Sequence, residues 1–142
     1  MNVRGTFVSP LEMELDTCLA RFEGCQAAGY IDLDSGFMLA IKSAQPMNEE
    51  QRELLAVAAY QVMNSATTRE LGEIYAGPDA AEGSPAFAET VVMSSEAIHI
   101  FARMKSFPDE AVCLVFRPDA NPDDVLDAAR FSVERLANAG FR

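Results

Sequence analysis

Apolar residues recur along this chain with two periods, and the switches between them mark out its elements. Leu11, Leu15, Cys18, Leu19 and Phe22 stand at helical spacing. Ser9-Pro10-Leu11-Glu12 ahead of them supplies an N-cap serine, a proline at the first helical position and a glutamate placed for a capping box. Gly24 is the expected C-cap. The period then falls to two. Residues 26–33 and 37–43 read as strands, and Asp34-Ser35-Gly36 between them has the chemistry of a hairpin turn. Ala27, Gly29, Ile31 and Leu33 share one face of the first strand, and Tyr30 and Asp32 the other.

Asn48, with Gln51 three positions on, opens a second helix that runs to about Asn64. A short helical piece is expected over 68–75, and 77–87 (GPDAAEGSPAF) reads as a loop. Three strands follow at 88–94, 97–104 and 111–117. Ile98, Ile100, Ala102 and Met104 alternate with His99, Phe101, Arg103 and Lys105. The last strand, Ala-Val-Cys-Leu-Val-Phe, is apolar on both faces, which marks a central strand covered on each side. Asn121 and Pro122 start a final helix with the stripe Val125, Ala129, Val133 and Leu136, and Gly140 is its expected C-cap. Short links make the five strands mostly antiparallel neighbours, in one domain spanning 1–142.

The second helix is unusual. Residues 54–60 read LLAVAAY. At about 100° per residue, Leu54, Leu55, Ala56, Ala58, Ala59, Tyr60, Val62 and Met63 cover roughly two-thirds of the circumference. A helix lying on a core needs an apolar stripe only a little over about 100° wide. Leu54, Ala58 and Val62 are expected to face the core, which leaves Ala56, Ala59 and Met63 to be covered by something else.

Charge narrows the partners. The net charge is −11, from 22 acidic and 11 basic residues. Phosphate contacts need a basic patch, so nucleic acid is disfavoured, and so are anionic membrane surfaces. No apolar run reaches the roughly 18 residues of a membrane span. Residues 1–10 lack the apolar centre of a secretion signal, so the cytoplasm is expected. Cys18, Cys25 and Cys113 have no Cys-x-x-Cys spacing, which fits a reducing compartment, and Cys18 and Cys113 read as packing residues.

Candidate chemistry is sparse. His99 is the one histidine, with no acid or cysteine at ligand spacing. Asp32-x-Asp34-x-Gly36 has the look of a calcium loop, but Phe37 stands where glycine is needed and Ser43 where glutamate is. A hairpin turn accounts for it. No phosphate-binding glycine motif occurs. Ser9, Ser43, Ser94 and Ser95 form no nucleophile elbow with His and Asp. Arg103 and Lys105 read as a solvated edge. No catalytic residue, cofactor or metal is expected.

The hairpin GYIDLDSGFMLAI (29–41), the small-residue helix after it and the block VVMSSEAIHIFARMKSFPDEAVCLVF (91–116) together resemble the roadblock (dynein light-chain) family. The similarity runs over nearly the whole chain, from Ser9 to Ala139. It implies a profilin-like α/β sandwich in which a five-stranded, mostly antiparallel sheet carries helices on both faces, in the order α-β-β-α-β-β-β-α. The first and last helices share one face, and the LLAVAAY helix lies on the other. It further implies a homodimer formed through the middle helix and third strand, with Leu55, Ala56, Ala59, Val62, Met63, Val91 and Val92 at the dimer or partner interface. The implied function is non-catalytic: a scaffold or regulator of a small Ras-like GTPase, or of a motor or polarity complex. The alternative is a small-molecule-sensing module roofed by 77–87. Two features depart from the family, the length of 77–87 and the helical piece before it.

Overall fold

Each helix begins where its capping residues place it. In the computed structural model, which describes residues 9–76 and 88–139, Ser9 Oγ accepts from the Glu12 N–H at 3.1 Å and opens α1 (Pro10–Arg21). The helix stops short of Gly24, which is not its cap. Phe22 turns extended and sets its ring edge-on against Phe131, with centroids 5.5 Å apart. Gly24 takes a φ of +81° in the turn that follows, a conformation open to glycine.

The chain then forms β1 (Cys25–Asp32) and β2 (Phe37–Ser43). Between them the Asp32 carbonyl accepts from the Gly36 N–H at 2.8 Å, and Asp32 Oδ1 accepts from the Asp34 N–H at 2.9 Å. The aspartate serves the turn. Leu33 leaves the strand but stays buried, and its N–H reaches the Asp109 carbonyl at 2.7 Å.

A reciprocal capping box joins Asn48 and Gln51 at the start of α2 (Glu49–Asn64). Ser65 ends α2 in an extended conformation, and its hydroxyl accepts from the Thr68 N–H at 3.1 Å. That cap starts α3 (Ala66–Ala76), a full helix where a shorter piece was expected. Next come β3 (Glu89–Met93), β4 (Ile98–Arg103), β5 (Glu110–Phe116) and α4 (Pro122–Ala137). Asn121 Oδ1 caps α4 from the Asp123 N–H at 2.8 Å, and Asn138 closes it. The expected loop at 77–87 and the expected cap at Gly140 lie outside the described residues.

All pairings are antiparallel, in the order β2-β1-β5-β4-β3. The doubly apolar strand, β5, is the central one. Its Val112, Leu114 and Phe116 face a core shared with α1 and α4, and its Ala111 and Cys113 face a second core beneath α2. This is the α-β-β-α-β-β-β-α order with α3 added, and the helices are distributed over the sheet as the resemblance implies.

Candidate functional site

The two faces of the sheet are unequally covered. Two helices lie on one face, joined by the Arg135–Glu14 ion pair. On the other, α2 packs on β2 and β1 and covers about half of the sheet. The flank of α2 and the β5-β4-β3 half of the sheet therefore enclose a groove of about 900 Å³.

One wall of the groove is a helical stripe, Gln51, Leu54, Ala58 and Val62. The floor is Val115, His99 and Val92, one residue from each of three adjacent strands, with Phe101 beneath. Leu54 is 62% exposed and Val92 42% exposed. None of the lining residues is acidic, in a chain that carries 22 Asp and Glu. His99 is half-buried and stacks on Phe101 with centroids 6.4 Å apart, and burial holds its pKa below the ordinary value. Cys25, at the rim, has its thiol pushed up to about 11 by burial, so it is a neutral packing group and not a nucleophile.

Beside the groove, β3 is a sheet edge, paired with β4 alone among the described residues. Its outer N–H and C=O groups are a template for another strand. Thr90, next to Val92, has a buried hydroxyl with no hydrogen-bond partner in the described structure. Glu89 and Val91 lie on the opposite face, where Arg130 grips Glu89 at 2.9 and 3.0 Å.

Two contacts set the rotation of α2. Asn64 Nδ2 donates to the Leu33 carbonyl at 2.9 Å, and Arg103 Nη2 donates to the Met63 carbonyl at 3.0 Å. Arg103 also donates to Pro108 O at 2.7 Å. It is therefore a structural clamp, where the sequence reading had a solvated edge.

This rotation corrects the expected interface. Ala56 and Ala59 are 1% and 0% exposed, and with Leu55 and Met63 they form the core beneath α2. The small side chains let the helix sit close to its own sheet. Leu54 and Ala58, expected to face inward, point away from that core, and Val62 lies half-buried at its margin. Of the residues named for the interface, Leu55, Val62 and Val92 line the groove, Val91 sits on the far face of the edge strand, and Ala56, Ala59 and Met63 are not accessible. Gln61 carried the missing signal: it is the one clearly polar residue from Leu54 to Met63, it is exposed, and Leu55, Ala59 and Met63 lie opposite it.

Elsewhere α3 packs against α2 and leaves Leu71, Ile74 and Tyr75 exposed. The hydroxyls of Ser9 and Ser94 serve a cap and a turn. Among the described residues no three His, Cys, Asp or Glu side chains converge as metal ligands, and no helix is long and apolar enough to cross a membrane.

No protein-family model matches the chain, and no curated protein does. Solved structures do. A structure described as MglB with tetrameric arrangement is 24% identical, covers 94% of this chain and 91% of its own, and superposes with a TM-score of 0.70. A Roadblock/LC7 domain from Streptomyces avermitilis is 12% identical over 88% of this chain and 92% of its own, at 0.62. LokiProfilin2, in complex with rabbit actin, is 14% identical over 93% and 98%, at 0.53. The fold is that of roadblock domains, within the profilin-like class.

Proposed function

We propose that this chain is a member of the roadblock family, a non-catalytic cytoplasmic module that forms a homodimer through the groove and scaffolds or regulates a small Ras-like GTPase. The observation that carries this reading is the carboxylate-free groove flanked by an open strand edge. Two chains of net charge −11 repel each other over most of their surfaces. The groove itself presents no carboxylate to an incoming copy. A two-fold axis beside β3 sets the α2 of each copy along the other's groove and pairs the two free edges, so one operation satisfies both features. The fold shared with MglB and a Roadblock/LC7 domain supports the GTPase assignment.

Light scattering at micromolar concentration tests the dimer. The expected mass is twice that of one chain, and a clean monomer overturns the reading. Ala58→Glu places an unpaired charge in the wall, which costs several kcal/mol when buried. It is expected to give a folded monomer, because Ala58 is exposed in one copy, with a melting temperature lowered only by the lost contribution of association. Titration with a purified Ras-like GTPase from the same organism, in GDP and GTP-analogue forms, tests the partner. The groove volume of about 900 Å³ also falls within the range of small-molecule sites. This favours one second reading, a ligand sensor, and stabilisation of a monomer by a metabolite in a thermal-shift screen would select it.

A further inference from the structure

The floor of the groove contains the chain's one histidine. Its cross-strand neighbours are Val92 on β3 and Val115 on β5. Facing it from α2 are Gln51, Leu54, Ala58 and Val62, none of them charged. The segment 43–47 on the rim carries no charge. From the remaining elements the groove receives Cys25, a neutral thiol, and Arg117, a cation whose nearest carboxylate is its own neighbour Asp119 at 3.8 Å. An imidazolium here has an arginine in the same groove and no acid lining it. The stripe that a second copy brings, again Leu54, Ala58 and Val62, is itself uncharged; the acid next to it on α2 is the exposed Glu50, one turn before Leu54.

We propose that closure of the groove by the second copy requires a neutral His99, so that the homodimer assembles at neutral pH and comes apart on mild acidification. This rests on the dimer reading above and adds its regulation. Covering the groove removes the water that solvates the ring, and a charged group so covered is costly when no opposite charge accompanies it. Burial already holds the pKa of His99 below its ordinary value in the single copy, and closure lowers it further. Each protomer that arrives protonated then sheds one proton on association. The sign follows from linkage: affinity is full above the His99 pKa of the open protomer and declines below it. With two protons released per dimer, the decline reaches up to about 100-fold in dissociation constant per pH unit.

The background opposes this effect. Between about pH 7 and 5.5 histidine is the side chain whose ordinary pKa falls in the window. Protonating the outermost carboxylates of a chain at −11 only relieves repulsion and tightens association. A weaker dimer in acid is therefore a signature of the histidine.

The dissociation constant of the full chain is measured by sedimentation at about pH 7 and 5.5, alongside His99→Gln and His99→Phe, with melting curves as the check on folding. The expected result is a rise in dissociation constant for the native chain on acidification, and a flat or slightly falling value for both variants. A native dimer whose affinity is flat or rises in acid overturns the inference and leaves the dimer standing. So does a loss in acid that both variants retain. A native chain that is monomeric at both pH values overturns the dimer itself, and the inference with it.

Discussion

The two faces of one sheet differ in what covers them. On the side of α1 and α4, the strand residues that point outward, Ile98, Ile100 and Leu114, are sealed to 1% exposure or less. On the other side the same strands, one residue out of phase, present His99 and Val115 half-buried, with Val92 on β3 more open still. The backbone is shared, so the difference lies in helix count. Two helices span a five-stranded sheet, and one helix spans about half of it. The bare half is a groove whose wall and floor are mostly apolar around His99 and Gln51. A domain core and an interface are thus built from the same strands, and the side a residue points to decides which of the two it serves.

Substitutions on the two faces put this comparison at risk. The largest effect is expected on the sealed side. Leu114→Ala, in the central strand, should cost about 2–5 kcal/mol of stability by chemical denaturation, as a truncation in a packed core does. A loss below about 1 kcal/mol would mean that this side is no better packed than the other. Next comes a pair of adjacent alanines. Ala59→Leu drives extra methylenes between α2 and its sheet and should cost about 1–3 kcal/mol, while Ala58→Leu, on the open flank, should leave the melting curve of the single copy almost unmoved. Equal effects at the two positions would overturn the rotation assigned to α2. The smallest effect belongs to the helix start. Asn48→Ala breaks the capping box and should cost about 1 kcal/mol, enough to show in a denaturation midpoint without altering the groove.

The rotation of α2 also shows where reading the sequence stopped short. The helix itself was legible, because Asn48 and Gln51 open it and a long uncharged run follows. Its inner side was not. Apolar and small residues surround the helix, so the hydrophobic pattern scarcely distinguishes one direction from another. The decision rests on contacts with remote residues: Leu33 receives the amide of Asn64, and Arg103 reaches the carbonyl of Met63. The pattern makes Arg103 a surface charge for the same reason, since alternation along a strand records which face a residue takes and not which carbonyl lies above it. The start of α3 was missed on a local signal, Ser65 acting as cap for Thr68.

Local chemistry determined by itself most of what is local or periodic here. The caps at Ser9, Asn48 and Asn121, the hairpin at 33–36, the alternation in β4 and the central place of β5 all follow from side chains acting within a few residues or on one face. Tertiary structure alone decided which half of the sheet α2 covers, and therefore that Leu54, Ala58, Val62, Val92 and His99 converge on one groove. Those residues are up to 45 positions apart, from Leu54 to His99. They meet because a single helix is too narrow for five strands, and no pattern along the chain encodes that width.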